Sequence, residues 1–286
     1  MRLRTIGARA GAMLLTLWLA GLAGALLVRL GPGFGIDEQE LDPRLSPQSR
    51  AALRAAHQNE RHIARFYVHS VARTLRGDLG VSQSLGRPVA ELLRERFPVT
   101  LRTVALGLAV GWAAGLLLAV ADHGARSAAI DLAAAALSGG LLCLPASLLA
   151  LLFVFLGAPA ALGIAALIAP RVFRYAHDLF LSAAASPHVL TAWARGLSAF
   201  PILVWHILPC VRAPLLALAG VSLNTAFTAA IPIEALCDSP GIGQLAWQAA
   251  LARDLPLLVN LTLLVTAVTV VGNAVCGWKP AGSEAV

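Results

Sequence analysis

Residues 188–212 read HVLTAWARGLSAFPILVWHILPCVR, and the interpretation of the whole chain starts from this stretch. With Arg195 and Arg212 it is too polar to cross a membrane, yet it is too apolar to be an ordinary loop. Gly196 is able to end a helix in the left-handed conformation, and Pro209 is able to stop or kink the next segment. The pattern predicts a short helix, a break and a second helix, lying on a membrane surface and presented to a partner.

The composition indicates a membrane protein with several spans. Of 286 residues, 58% are hydrophobic and 13% charged, whereas soluble domains carry about 25% charged residues. The net charge of +7 is interpreted as loop arginines placed by topology, because no nucleic-acid-binding motif accompanies it. The four cysteines form no CxxC pair and are interpreted as small apolar side chains.

Long uncharged runs predict six transmembrane helices, with both termini in the cytoplasm. The run over 132–169 is long enough for two spans, joined by a tight turn at Gly157-Ala158-Pro159. A cleaved signal peptide is the alternative for the first run, since Ala23-Gly24-Ala25 resembles a cleavage site. The predicted runs are 10–28, 103–121, the two halves of 132–169 (the second continuing past Pro170), 213–233 and 255–278.

Between the first two spans the sequence predicts a small extracytoplasmic helical domain. Ser46 and Pro47 indicate the start of a helix that extends to Leu75, and a second short amphipathic helix is predicted over 88–97. His57, His62 and His69 are interpreted as solvated, since their spacing does not suit a metal site. The predicted division is 1–30 first span, 31–99 periplasmic domain, 100–278 five-helix core with cytoplasmic loop 171–212 and periplasmic loop 234–254, and 279–286 tail.

Three groups of motifs resemble those of a known family. Ahead of the second span stand Gly77-Asp78-Leu79-Gly80-Val81-Ser82, Arg87-Pro88-Val89 and Arg96-Phe97-Pro98-Val99-Thr100-Leu101. Thr191-Ala192-Trp193-Ala194-Arg195-Gly196-Leu197-Ser198, with His206 and Leu208-Pro209, resembles an EAA cytoplasmic loop. Glu234 with Pro240-Gly241-Ile242-Gly243 and Arg253-Asp254-Leu255-Pro256 lies between the last two spans. Over most of residues 10–275 the chain resembles inner-membrane permease subunits of binding-protein-dependent ABC importers of the dipeptide/oligopeptide/nickel type (DppB/OppB-like).

This resemblance implies an all-α, type I ABC importer permease fold in a bacterial inner membrane. It implies a transport subunit that is not an enzyme, has no cofactor, and forms half of a path for peptides or a related small solute. The expected partners are a second homologous permease, two ATP-binding subunits, a periplasmic solute-binding protein and membrane lipid, and no nucleic acid. The chain has no GxxxxGK[ST] phosphate loop, so ATP is expected to bind to other chains.

The resemblance also implies site residues. The ATPase-coupling residues are Thr191, Ala192, Ala194, Arg195, Gly196, Leu197, Ser198, Leu208 and Pro209. The residues of a periplasmic gate or a docking surface for the binding protein are Gly77, Asp78, Leu79, Gly80, Glu234, Pro240, Gly241, Gly243, Arg253 and Asp254; for 240–243 a plain tight turn is the alternative. From their position in the fifth span, Asn224, Thr225 and Thr228 either line the substrate path or bond to a neighbouring helix.

Two other function classes remain open from the sequence. A secondary transporter or channel that works without an ATPase is disfavoured, because no ionisable residue lies deep in any predicted span. A scaffold whose transport role has decayed is the other, because Thr191 stands where the family has an acidic residue.

Overall fold

The computed structural model describes residues 2–30, 72–74, 76–125 and 128–276, and nearly all of them are helical. An isolated antiparallel bridge joins Val81 to Pro88, and no sheet forms within these ranges, so the all-α prediction is confirmed. A π-helical turn, Leu203–Ile207, lies between the helices Ala199–Ile202 and Leu208–Leu236. The helices are α1 Arg2–Leu30, α2 Val89–Ala125, α3 Ala128–Cys143, α4 Ala146–Phe155, α5 Ala160–Ala184, α6 Pro187–Ala194, α7 Ala199–Ile202, α8 Leu208–Leu236, α9 Ile242–Leu251 and α10 Leu255–Cys276.

Three helical stretches are long and apolar enough to cross a membrane: Val89–Asp122, Ala199–Leu236 and Leu255–Cys276. A fourth is present if Leu132–Cys143 and Ala146–Phe155, which bend by 100° at their junction, count as one span. An apolar helical stretch is also described over Gly11–Gly24 of α1, within the predicted run 10–28. These counts concern the described residues. Most of the predicted domain 31–99, including the helix over 47–75 and the three histidines, lies outside them, as does the tail 279–286.

The helix predicted over 88–97 and the span predicted over 103–121 form one helix, α2, which runs through Pro98. Proline removes one backbone hydrogen bond and normally favours a helix end. Here the apolar run that follows Pro98 continues the helix. Internal prolines are also present in α5 and α8, in line with their tolerance in membrane helices.

The run 132–169 divides at two places instead of one. The turn predicted at Gly157-Ala158-Pro159 is present: Gly157 has φ 65°, and Ala158 N–H donates to Phe153 C=O at 2.9 Å. A further break separates α3 from α4 at Leu144-Pro145, where Pro145 is extended with ψ 149°. Because Pro145 has no N–H and disfavours a helical residue before it, the helix stops and restarts with a bend.

The described chain forms two compact units. Unit 1 holds α1, the loop 76–88, the start of α2, and residues 245–270 of α9 and α10. In it Leu22 of α1 and Leu263 of α10 pack against the buried Val259. A Cβ on Gly24 would lie 3.2 Å from Thr262 Oγ1, so the small residue allows α1 and α10 to approach closely.

Unit 2 holds residues 98–244 and the end of α10 from residue 271. Its α2 carries glycines at every fourth position, Gly107, Gly111 and Gly115, all on one face against α5. A Cβ on Gly107 would lie 2.7 Å from Ile164 Cβ, and one on Gly111 would lie 2.9 Å from Ile168 Cβ. The glycines therefore allow α2 to pack directly on the backbone and β-carbons of α5, as small residues do in membrane helix pairs.

Candidate functional site

The stretch 188–212 begins with a short surface helix, α6, whose one face is buried. Ser186 is the N-cap residue and Pro187 the first residue of the helix, where a missing N–H costs nothing. Val189 and Ala192 are 0% and 3% exposed and belong to a hydrophobic cluster with Phe173 and Phe180 of α5. The small Ala192 thus anchors the helix on unit 2, and α6 is held as a rigid element.

Gly196 ends α6 in the way that the sequence predicts. Its φ is 77°, its N–H donates to Trp193 C=O at 2.9 Å, and Leu197 N–H donates to Ala192 C=O at 3.3 Å. This is a Schellman motif, which places a left-handed residue just after the helix. A Cβ at Gly196 would meet nothing within 4 Å, so the glycine is needed for its backbone conformation and not for space.

The opposite face of α6 and the turn that follows it are open. Leu190, Trp193 and Leu197 are 56%, 38% and 39% exposed. The predicted coupling residues other than Ala192 are all exposed, among them Thr191, Ala194, Arg195, Gly196, Ser198, Leu208 and Pro209. We call residues 190–200 with their exposed side chains the coupling surface.

The second half of the stretch differs from the prediction. Pro209 does not interrupt the helix. It occupies the first turn of α8, and helical structure is continuous from Ala199 to Leu236. The π-helical turn Leu203–Ile207 lies directly before Pro209, and such turns re-register backbone hydrogen bonds next to a missing donor. The thiol of Cys210 also donates to the carbonyl of His206 at 3.2 Å.

A buried polar cluster of unit 2 joins two predicted motifs. Glu234 Oε2, at the end of α8, accepts hydrogen bonds from Thr100 Oγ1 at 2.9 Å and from Gly243 N–H at 2.7 Å, and also from the backbone N–H of Gln244. Thr100 Oγ1 in turn accepts from Ile242 N–H at 2.7 Å. Since Ile242, Gly243 and Gln244 are the first residues of α9, two side chains from distant positions cap its orphan amides.

The glycines of the Pro240-Gly241-Ile242-Gly243 turn are required by this cluster. A Cβ on Gly241 would overlap the Glu234 carboxyl group and Thr100 Oγ1, and one on Gly243 would overlap the backbone of Ala230. Both glycines have ordinary φ values, so close approach and not backbone conformation explains them. The 240–243 segment is therefore a tightly packed helix start, with Pro240 exposed beside it.

A second buried cap joins the other pair of motifs, within unit 1. Asp254 is 1% exposed and is the N-cap of α10, with Oδ1 accepting from Leu257 N–H at 3.1 Å. Its Oδ2 accepts from Ser82 Oγ at 2.5 Å and from both Oγ and N–H of Ser84 at 2.9 and 3.0 Å. Before it, Arg253 is left-handed at φ 53°, a conformation that ends α9.

The Gly77–Gly80 turn is also built into unit 1. Its backbone is fastened by Asn260 Nδ2, which donates to Leu79 C=O at 3.0 Å. The hydrogen bond from Gly80 N–H and the ion pair with Arg73 lower the pKa of Asp78 below its usual value. Gly77 and Gly80 have φ of 83° and 75°, which only glycine adopts without strain.

The residues predicted for the periplasmic gate differ in burial, and two of them, Leu79 and Gly80, are half-buried. Glu234, Gly241, Gly243 and Asp254 are buried, so they position the loops and do not present a surface. Gly77, Asp78, Pro240 and Arg253 are exposed.

The threonine hydroxyls in the middle of α8 donate hydrogen bonds to carbonyl groups of their own helix. Thr225 Oγ1 donates to Val221 C=O at 3.0 Å, and Thr228 Oγ1 donates to Asn224 C=O at 2.9 Å. Asn224 and Thr228 are exposed on one face of the helix.

Sequence reasoning missed four residues of these contacts as site residues: Thr100, Ser82 and Ser84 in the caps, and Asn260 at the Gly77–Gly80 turn. Thr100 and Ser82 are members of the quoted motifs. Asn260 is a polar residue in an apolar run, and this position indicates a buried polar contact. In the part of the chain that the structure describes, no three His, Cys, Asp or Glu side chains gather as a metal-ligand group.

Comparisons with known proteins agree with one another. The family model described as "Binding-protein-dependent transport system inner membrane component" matches residues 107–278. A putative peptide permease protein of Brucella suis biovar 1 (strain 1330) is 27% identical, covering 87% of each chain. The dipeptide transport system permease protein of Lactococcus lactis subsp. cremoris (strain MG1363) is 24% identical, covering 92% of each. In fold, a chain of the inward-facing MetNI methionine ABC transporter matches with a TM-score of 0.50 and 20% identity, over 66% of this chain and 92% of that one.

Proposed function

Because the chain belongs to the family of inner-membrane components of binding-protein-dependent transport systems, we propose that it forms half of the translocation path of an importer for peptides or a related small solute. It is a membrane permease subunit of an ABC importer and not an enzyme, and ATP is hydrolysed on separate subunits. Peptides are proposed because the Brucella and Lactococcus relatives are named for peptide and dipeptide transport.

The coupling surface carries this proposal. It is an apolar patch with Arg195 at its edge, on a helix whose other face is locked into the core of unit 2 by Val189 and Ala192. A rigid helix with an exposed apolar face is suited to dock in a cleft of an ATPase and to transmit its movement, because packed elements switch between discrete arrangements. Two ATP-binding subunits and a second permease would complete the complex.

The exposed residues near the two caps support a docking surface for a solute-binding protein. The caps on α9 and α10 hold the 234–254 segment and the 77–88 loop in fixed shapes, and the exposed Asp78, Pro240 and Arg253 belong to those segments. In this arrangement both segments lie on the periplasmic side and the coupling surface lies in the cytoplasm. The exposed face of α8 with Asn224 and Thr228 would line the path, opposite the second permease.

The experiment is co-purification of the full chain with its co-expressed ATPase subunits. Leu190→Glu and Leu197→Glu place a charge on the apolar patch, so we expect at least a tenfold loss of bound ATPase without loss of folded permease. Leu85→Glu is the matched control, since Leu85 is 44% exposed in the loop on the other proposed side.

Two results would count against the proposal. If the charged variants retain the ATPase as well as Leu85→Glu does, then coupling does not use this surface. If the unmodified chain binds no ATPase but moves solute across vesicles, then it works as a transporter or channel without one; a folded chain that does neither is a scaffold.

A further inference from the structure

A cavity of unit 2 is lined by residues that belong neither to the coupling surface nor to the two caps. It has a volume of about 440 Å³ and is bordered by the end of α2, the start of α3 and the middle of α5. Small-molecule sites typically measure roughly 300–1,000 Å³. Its polar lining residues are Asp122, Arg174, His177 and Asp178, and none of them belongs to the motifs that identified the family.

The helical spacing of α5 brings three of these groups to the cavity. Arg174, His177 and Asp178 lie three or four residues apart, so they share one face of the helix. The ring of His177 stacks on that of Phe173, with centroids 5.8 Å apart and planes within 4°. Its Nε2 lies 3.5 Å from Oδ2 of Asp122, whose side chain is 4% exposed. One carboxylate is therefore fixed deep in the wall, while Arg174 and Asp178 stand at the open side.

The charges select the ligand. An anion alone would meet the carboxylate of Asp178, and a cation alone would meet the guanidinium of Arg174. A molecule that carries a primary ammonium and an anionic group a few ångströms apart satisfies both, because ammonium groups pair with carboxylates and guanidinium pairs with carboxylate or phosphate. The aliphatic Leu132 and the ring of Phe173 provide apolar walls for the atoms between the two charges.

We propose that this cavity binds a small zwitterion, with its ammonium group at Asp178 and its anionic group at Arg174, above the buried pair of Asp122 and His177. Two sources have this chemistry: an amino acid or dipeptide in solution, and the headgroup of phosphatidylethanolamine. The proposal goes beyond the transport function and does not rest on it. It also gives bound zwitterion a route to influence coupling, since Phe173 lines the cavity and belongs to the hydrophobic cluster that holds Val189 and Ala192 of α6.

Binding is measured on the full chain in lipid nanodiscs, without ATPase or solute-binding protein, so that the result is independent of transport. The first arm titrates dialanine by calorimetry in phosphatidylcholine nanodiscs, with N-acetyl-dialanine and dialanine amide as probes that each lack one charge. The second arm uses nanodiscs with added phosphatidylethanolamine and counts retained lipids by native mass spectrometry.

We expect one of the two zwitterions to bind with defined stoichiometry, and the loss of either charge from dialanine to weaken its binding at least tenfold. Arg174→Gln and Asp178→Asn are exposed positions that leave the core intact, and each is expected to weaken binding of the zwitterion at least tenfold. Arg171→Gln is the control, because Arg171 is exposed on the same helix and does not line the cavity.

The outcome identifies the source or rejects the site. Dialanine binding that depends on Arg174 and Asp178 assigns a soluble zwitterion, and retained phosphatidylethanolamine with the same dependence assigns a lipid. Binding of neither ligand, or equal binding to all three variants, overturns the proposal.

Discussion

Glu234 is the residue on which the 234–254 segment depends most directly. One carboxyl oxygen accepts the first amides of α9 and the hydroxyl of Thr100, and the residue is 0% exposed. A buried amide that loses its acceptor costs about 1–3 kcal/mol, because no water replaces the lost partner. The loss of this one side chain therefore affects at least two such groups.

We predict that Glu234→Ala lowers the free energy of unfolding by about 2–4 kcal/mol, and that Glu234→Gln lowers it less because its amide oxygen still accepts. The measurement is thermal and denaturant unfolding of the purified chain in detergent. The control is Glu91→Ala, which removes an exposed ion pair with Arg87 and should cost much less, because exposed ion pairs stabilise a fold little. Equal losses in Glu234→Ala and Glu91→Ala would show that the cap does not support the fold.

At the scale of elements, the face of α2 that carries glycines decides how closely it packs on α5. Gly107, Gly111 and Gly115 place the α2 backbone directly on Ile164, Ile168 and Val172. In lipid there is no hydrophobic driving force for helix association, so close van der Waals contacts of this kind hold membrane helices together. Phe173 and Phe180 of the same helix α5 pack against the buried side of α6. Helix α5 therefore contacts both the glycine face of α2 and the helix that carries the coupling surface.

Gly111→Val is expected to lower the free energy of unfolding by about 1–3 kcal/mol, because its side chain must displace Ile168 or separate the two helices. Gly140→Val in α3 is the matched control, since an added Cβ there meets nothing within 4 Å. Unfolding in detergent micelles compares the two variants. Should both lose the same stability, helix propensity and not close packing would be the cause.

At the scale of the whole molecule, the proposed topology places the 77–88 loop and the coupling surface on opposite sides of the membrane. Apolar side chains on the outside of the span helices, such as Leu106, Leu117 and Val221, are 48%, 70% and 59% exposed. A surface of that kind fits contact with lipid tails and not with water. Three of the helical stretches, or four with the bent pair, are long enough to cross.

We predict that, with the four native cysteines replaced, Leu85→Cys reacts with a membrane-impermeant maleimide on intact spheroplasts. Arg195→Cys should react only after permeabilisation, because the coupling surface faces the cytoplasm in the proposed orientation. Both side chains are exposed, so accessibility within the protein does not separate them. Labelling of Arg195→Cys on intact spheroplasts, with Leu85→Cys protected, would invert the topology.

The sequence by itself determined the features that depend on neighbouring residues. Apolar runs of span length identify membrane helices, and the left-handed turn at Gly196 follows from a glycine after an apolar helix, because only glycine adopts positive φ without strain. The turn at Gly157 follows by the same reasoning. Prolines were less informative: Pro145 breaks a helix, whereas Pro98 and Pro209 do not, because the surrounding apolar run or a π-helical turn compensates for the missing donor.

Tertiary structure alone decided which distant groups meet. That Thr100 and Glu234 together cap α9, that Ser82 and Ser84 fasten Asp254, and that Asp122 lies beside His177 cannot be read from spacing along the chain. Each contact depends on the packing of helices far apart in sequence, and no periodicity encodes a side-chain hydrogen bond across 134 or 172 residues. Burial likewise divided the predicted gate residues into those that hold the loops and those that present a surface, since exposure is a property of the packed molecule.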